Sequence, residues 1–128
     1  MFEVRVEVDF PAGHHLVGYP GDCAQPHGHN WKMEVFVRAS ELDHVGMAVD
    51  FRSLKGATQE IVAGWDHQDL NTHADFAKIN PTAENLARLA YEKLSAVIDS
   101  GSSWVDRVRV WENDRCFAAY WDENKRRV

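Results

Sequence analysis

Hydrophobic and charged residues alternate at the start of the chain. From Phe2 to Phe10 every second residue is apolar and the residues between them are charged, which is typical of a strand with one buried face. A similar alternation returns from Trp31 to Arg38. The segment between them, 11–26, holds three glycines and three prolines and predicts a long irregular loop. These segments together predict an antiparallel pair of strands.

The spacing of apolar residues becomes helical after Asp50. Asp50 is a suitable N-cap for a first helix over 51–65. After a loop over 66–80, a second helix is predicted to open at Asn80-Pro81, with proline at or near its first turn, and to end at Gly101. Both helices carry a single apolar stripe, so each is expected to pack one face on a sheet.

Two further strands are predicted near the end of the chain, over 105–111 and 116–121. They are joined by the tight turn Asn113-Asp114-Arg115. The element order is therefore ββααββ. This order predicts an α+β fold, in which a four-stranded antiparallel sheet carries two helices on one face.

Composition narrows the class of protein. Of the 128 residues, 45% are hydrophobic, which is enough for one packed core. Fourteen basic residues against twenty acidic ones give a net charge of −6, which disfavours binding to nucleic acid or to acidic membranes. The apolar runs are too short for a transmembrane helix, and the first residues lack the pattern of a signal peptide, so we expect a cytoplasmic protein.

The chain is expected to form one domain over 1–122. Residues 123–128, which include Lys125-Arg126-Arg127, are predicted to be a basic C-terminal tail. Two cysteines, Cys23 and Cys116, make no disulfide framework.

Histidines cluster near the predicted first hairpin. His27-Gly28-His29 begins the second strand, where side chains two residues apart point the same way. His14, at the end of the preceding strand, can supply a third nitrogen across the hairpin. Three neutral imidazoles suit Zn²⁺ and leave a coordination position open for substrate. His15 points the other way in an extended segment.

The role of Cys23 is open on the residues alone. It precedes His27 by four positions in the same loop. It is either a fourth zinc ligand, an inert thiol, or a thiolate whose pKa a nearby cation depresses and which then acts as a base or nucleophile.

Two further sets of side chains are candidates for catalysis or substrate binding. Asp66-His67 follows the first helix, and there the carboxylate can orient the imidazole for proton transfer, or both can be surface residues of a turn. Glu112 ends the third strand, and its carboxylate can accept two parallel hydrogen bonds from an amidine-like heterocycle edge, or it can be a solvated residue at the sheet edge.

Together these segments resemble the 6-pyruvoyl-tetrahydropterin synthase/6-carboxytetrahydropterin synthase family, a group of enzymes with the tunnelling fold (T-fold). The resemblance extends in unbroken order from the first strand to about Trp121. The departures from the family pattern are Gly13 for alanine, Trp65 for leucine and Asn113 for threonine. The matching segments are Phe10-Pro11-Ala12-Gly13-His14-His15-Leu16, Cys23-Ala24-Gln25-Pro26-His27-Gly28-His29, Val49-Asp50-Phe51-Arg52-Ser53-Leu54-Lys55, Trp65-Asp66-His67-Gln68-Asp69-Leu70-Asn71, Asn80-Pro81-Thr82-Ala83-Glu84-Asn85 and Trp111-Glu112-Asn113.

The resemblance implies a role for each matched side chain. It implies zinc ligands at His14, His27 and His29, a catalytic thiol at Cys23 and a proton relay at Asp66 and His67. It also implies that Glu112 anchors a pterin and that Thr82 binds substrate. Family members form hexamers with active sites at subunit interfaces, so a homohexamer is expected.

The three residues between Cys23 and His27 resemble the carboxytetrahydropterin branch. That branch implies a lyase that converts 7,8-dihydroneopterin triphosphate to 6-carboxy-5,6,7,8-tetrahydropterin, acetaldehyde and triphosphate, on the route to 7-deazapurines such as queuosine. The alternatives are a 6-pyruvoyl-tetrahydropterin synthase, which eliminates triphosphate without losing two carbons, and a catalytically silent zinc- or pterin-binding module.

Overall fold

Residues 1–125 are described by a computed structural model, in which four strands form one antiparallel sheet in the order β1-β2-β3-β4. Two helices lie between the second and third strands in sequence, so the predicted order ββααββ is confirmed. Short 3-10 turns lie in the connections. The bounds are β1 Phe2–His14, β2 His27–Ala39, α1 Phe51–Ala63, α2 Ala83–Ile98, β3 Ser103–Asn113 and β4 Cys116–Tyr120, with turns at Asp22–Ala24, Leu70–Thr72 and Ala74–Phe76.

The first hairpin is longer than the sequence predicts. β1 continues through Pro11 to His14, and β2 begins at His27, so the irregular loop covers 15–26 rather than 11–26. Proline is tolerated at this position because β1 is an edge strand, where a missing N–H costs no ladder bond on the side away from β2. The longer pairing carries the histidines on regular strand ends.

The second helix also starts and ends differently from its prediction. Thr82 is its N-cap, because its side-chain oxygen accepts a hydrogen bond from the backbone N–H of Asn85 at 3.1 Å. Pro81 therefore lies directly before the N-cap, near the first turn, and the helix begins at Ala83. At the other end the helix stops at Ile98, because Asp99 adopts an extended conformation, and Gly101 lies beyond it.

The core lies between the helices and one face of the sheet. Inward-facing residues of β2 alternate as the sequence predicts, and Trp31, Met33 and Val35 are fully buried. They pack with apolar residues of the helices such as Leu54 and Leu86, which are also fully buried. Burial of this apolar surface supplies the main driving force for folding.

The other face of the sheet carries charged residues. Glu34 is only 5% exposed there, and its carboxylate accepts hydrogen bonds from the side chains of Arg5 and Trp111. Burial alone would raise the pKa of Glu34, but these two hydrogen bonds outweigh it and hold the pKa below its ordinary value.

The last described residue contacts the domain. Nζ of Lys125 lies 2.6 Å from Oδ2 of Asp99 and donates to the carbonyl of Val105 at 2.8 Å. The division into a domain over 1–122 and a basic tail over 123–128 stays a prediction. Arg126, Arg127 and Val128 lie outside the described residues. Among residues 1–125, no helix combines the length and the apolar content needed to cross a membrane.

Candidate active site

Three histidines meet where β1 and β2 end. In the antiparallel register His14 lies directly opposite His27, and His29 is two residues along the same face of β2. The ring centroid of His14 lies 4.5 Å from that of His27 and 5.1 Å from that of His29. The two-residue period of the strands turns all three rings toward the side of the sheet on which the helices pack. The structure thus brings together the three ligands that the sequence predicts.

Backbone carbonyls orient two of these rings. Nδ1 of His14 donates to the carbonyl of Pro81 at 2.8 Å, and Nδ1 of His27 donates to the carbonyl of Gln25 at 2.7 Å. A carbonyl can only accept, so in a neutral ring the proton is on Nδ1 and the lone pair is on Nε2. This is the arrangement of a histidine whose Nε2 binds a metal.

The donor set fits a divalent metal ion. Nε2 of His14 is buried and has no hydrogen-bond partner within residues 1–125, and Nε2 of His29 is buried next to a carboxylate. Burial lowers the pKa of His14 and of His29, which favours the neutral form that a metal requires. Buried polar atoms are normally satisfied, so the unpaired Nε2 of His14 fits the role of a metal ligand.

Glu112 belongs to the same cluster. It follows Val108 and Val110 at two-residue intervals on β3 and therefore faces the helices. Its Oε1 lies 2.9 Å from Nε2 of His29 and 4.0 Å from Nε2 of His14. One ligand atom from each of the three histidines and Glu112 lies within 4.8 Å of the others. The sequence predicts a role for Glu112 toward substrate but not this contact, because local patterns do not specify the register of β3 against β2.

Cys23 lies outside this four-residue cluster. It is half-buried in the short turn Asp22–Ala24 of the loop that joins β1 to β2. Beside the three histidines lies the carboxylate of Glu112 rather than the thiol of Cys23.

The Asp66-His67 pair lies at the end of α1. His67 has a positive φ of 58°, an uncommon conformation for a residue other than glycine. Two backbone hydrogen bonds to β1 hold this turn, from His67 N–H to the carbonyl of Pro11 at 2.7 Å and from Gly13 N–H to the carbonyl of Gln68 at 2.9 Å. Nδ1 of His67 lies 2.8 Å from Oδ1 of Asp66.

His67 lies at the surface, and its side chain is 77% exposed. It lines a cleft of about 370 Å³ together with Gly13, Gly28 and His29. The cleft therefore brings residues of the Asp66-His67 turn next to the ends of β1 and β2.

A second cleft lies between Glu112, the start of α2 and β4. It encloses about 150 Å³ and is lined in part by Ala83, Glu84, Glu112 and Phe117. Thr82 immediately precedes the first two of these residues. Its side-chain oxygen is engaged in capping α2, so a structural role for Thr82 is visible.

Comparison with known proteins identifies the family. The profile of the 6-pyruvoyl tetrahydropterin synthase family matches residues 3–123. A 6-carboxy-5,6,7,8-tetrahydropterin synthase of Rickettsia bellii is 29% identical, over 91% of this chain and 98% of the relative. A putative 6-carboxy-5,6,7,8-tetrahydropterin synthase of Archaeoglobus fulgidus is 34% identical, over 87% of this chain and 88% of the relative.

A solved structure shares the fold. The 6-pyruvoyl tetrahydropterin synthase of Caenorhabditis elegans superposes with a TM-score of 0.83 at 26% identity, over 95% of this chain and 96% of that chain. The chain therefore belongs to the 6-pyruvoyl tetrahydropterin synthase family of lyase-type enzymes.

Proposed function

We propose that the protein is a zinc-dependent 6-carboxy-5,6,7,8-tetrahydropterin synthase. In this proposal it converts 7,8-dihydroneopterin triphosphate and water to 6-carboxy-5,6,7,8-tetrahydropterin, acetaldehyde and triphosphate, and its product feeds the synthesis of 7-deazapurines such as queuosine. The observation that carries the proposal is the cluster of His14, His27, His29 and Glu112, whose ligand atoms lie within 4.8 Å of one another in a chain of the pterin synthase family.

His14, His27 and His29 would hold the metal through their Nε2 atoms. Three nitrogen ligands of borderline softness favour Zn²⁺ and leave a position open. Bound Zn²⁺ would supply Lewis acidity to the hydroxyls of the substrate side chain. The neutral state that burial imposes on His14 and His29 prepares both rings for this role at neutral pH.

Glu112 is proposed to bind the pterin ring. Its carboxylate lies between the imidazoles and the cleft of about 150 Å³ beside β4. A carboxylate can accept two parallel hydrogen bonds from the amidine-like edge of a pterin, as it does from a guanidinium group. Thr82, at the start of α2 beside the same cleft, is proposed as a second contact to substrate.

Proton transfer is assigned to Cys23 and to the Asp66-His67 pair. The carboxylate of Asp66 lies beside Nδ1 of His67, so it would keep the proton on that nitrogen and leave Nε2 free to accept another. The Cys23 thiolate would remove or return a proton on the other face of the side chain. A pure binding module needs neither group, which argues against the silent alternative.

The choice between the two enzyme activities rests on two observations. Three residues separate Cys23 from His27, as in the carboxytetrahydropterin branch that the sequence resembles. The relatives from R. bellii and A. fulgidus also carry that name. A 6-pyruvoyl-tetrahydropterin synthase is the second candidate, because the C. elegans structure carries that name.

A homohexamer is proposed as the active form. β1 and β4 are the edges of the sheet, and an open edge can pair with another chain. Cys23 and His67 would then face one substrate from different subunits. A cytoplasmic location stays a prediction.

Incubation with 7,8-dihydroneopterin triphosphate tests the proposal. The zinc-loaded protein is expected to yield a pterin with the mass of the 6-carboxy product, and protein stripped of metal by a chelator should yield none. A pterin with the mass of the 6-pyruvoyl product would support the second candidate. An intact triphosphate ester would show that the protein only binds.

A further inference from the structure

The backbone after β1 is held by an asparagine side chain. Oδ1 of Asn71 accepts from the N–H of His15 at 2.9 Å, and its Nδ2 donates to the carbonyl of the same residue at 3.0 Å. The amide thus satisfies both backbone groups of one residue, as a neighbouring strand would.

A second asparagine repeats this contact two residues later. Oδ1 of Asn80 accepts from the N–H of Val17 at 2.9 Å, and its Nδ2 donates to the carbonyl of Val17 at 3.0 Å. His15 and Val17 are alternate residues, so in an extended chain their backbone groups face the same side. Both amides therefore bind one edge of the segment 15–17.

The residue between them faces the other way. The N–H of Leu16 donates to the carbonyl of Cys23 at 2.9 Å. The turn that carries Cys23 is consequently hydrogen-bonded to the edge of the segment opposite the two asparagines.

Hydrophobic packing does not fix this loop. Residues 15–26 are all described, and each is half-buried or exposed. Hydrogen bonds must therefore set where the Cys23 turn lies. Both asparagines are themselves held, since Asn71 N–H donates to Oδ1 of Asp69 at 3.1 Å and the Asn80 carbonyl accepts from Nδ2 of Asn85 at 2.8 Å.

We infer that Asn71 and Asn80 are positioning residues for Cys23: their side-chain amides fix the segment 15–17, and that segment fixes the turn that presents the thiol. The catalytic part of this inference rests on the proposed function, in which Cys23 transfers a proton. Both asparagines belong to segments that resemble the family, but the sequence predicts no role for either of them.

Alkylation of the thiol tests the inference without substrate. Zinc-loaded wild type, Asn71→Ala and Asn80→Ala are treated with iodoacetamide, and the adducts at Cys23 and Cys116 are counted separately by peptide mass spectrometry. In both variants the rate at Cys23 should rise about fivefold or more, the factor expected when about one net hydrogen bond is lost. Cys116 is exposed on β4 and serves as the internal reference, with an unchanged rate. Asn124→Ala, at an exposed position beyond β4, is the matched control.

Turnover supplies the second readout. In both alanine variants kcat should fall about 10–100-fold with KM nearly unchanged, as for a misplaced catalytic group. Asn71→Asp keeps the oxygen that accepts from His15, so it should lie between wild type and Asn71→Ala in both readouts. It also keeps the test valid if an alanine variant does not fold.

Unchanged alkylation at Cys23 in both alanine variants would overturn the inference, as would equal increases at Cys23 and Cys116, which indicate general loosening. If wild type fails to convert 7,8-dihydroneopterin triphosphate, the proposed function fails alone. The alkylation result then still decides whether the asparagines position the thiol.

Discussion

Oε1 of Glu112 lies 2.9 Å from Nε2 of His29, the nitrogen through which that histidine would bind a metal. The two residues come from the ends of adjacent strands, β3 and β2. A carboxylate at this place can either complete the metal site or bind the pterin, and it cannot do both with the same oxygens. The proposed function assigns the carboxylate to the pterin. A substitution at Glu112 can therefore distinguish a pterin-binding residue from a metal ligand.

Glu112→Gln should keep its zinc and lose pterin affinity. The amide cannot accept two hydrogen bonds from an amidine-like edge with the strength of a carboxylate, so the Kd for 7,8-dihydroneopterin should rise about ten- to a hundredfold. Elemental analysis and titration calorimetry measure the two quantities. Glu92→Gln, at an exposed position on α2, is the matched control. Loss of zinc from Glu112→Gln would make the residue a metal ligand instead.

His27→Ala should remove most of the bound zinc. A site of three nitrogens that is reduced to two loses much of its affinity, and the remaining rings of His14 and His29 cannot compensate. The zinc content of purified protein, measured by elemental analysis, checks this. His44→Ala removes an exposed histidine of the β2–α1 connection and should keep full zinc. Stoichiometric zinc in His27→Ala would place the metal elsewhere.

Cys23→Ala should separate catalysis from metal binding. Because Cys23 lies outside the ligand cluster, zinc content and Tm should stay near those of wild type. Turnover should fall about 10²–10⁴-fold, the usual contribution of a positioned proton-transfer group. A protein that loses its zinc would show the thiol to be a ligand, and a fully active one would assign the proton transfer to another group.

Glu34 should make the protein sensitive to acid. Its pKa is held below the ordinary value in the folded state, so its contribution to stability is present above the unfolded pKa of about 4.3 and is lost as pH falls through the folded pKa. Glu34→Gln should therefore be less stable than wild type by about 1–3 kcal/mol near pH 7. The difference should shrink as pH falls below the ordinary glutamate pKa.

Urea unfolding at several pH values and one protein concentration measures that difference. Glu41→Gln, at an exposed position after β2, is the control and should follow wild type throughout. A difference between Glu34→Gln and wild type that stays constant with pH would show that the charge of Glu34 does not stabilise the sheet.

The periodic segments of the sequence were sufficient for the fold. The alternation in β1 and β2 and the helical stripes predicted the order of elements, since one buried face imposes a period on each. Pro11 concealed the extension of β1, because proline suggests a loop and only the sheet order shows that β1 is an edge. Local patterns do not indicate the contacts of Lys125, because its partners Asp99 and Val105 are distant in sequence.

The candidate site was predictable only in part. His27 and His29 are close in sequence, and His14 lies at a matching strand end. The contact between Glu112 and His29 depends on the register of β3 against β2, which local patterns do not specify. The reciprocal hydrogen bonds of Asn71 and Asn80 join segments more than fifty residues apart, so no spacing rule indicates them.

The most direct test of the proposed function is the amount of acetaldehyde released per triphosphate. Zinc-loaded protein is incubated with 7,8-dihydroneopterin triphosphate, and both products are quantified in the same sample. A 6-carboxy-5,6,7,8-tetrahydropterin synthase should release the two in equal amounts, with none of either from the metal-stripped protein. Triphosphate without acetaldehyde would contradict the assignment, because it would mean that the two carbons stay on the pterin.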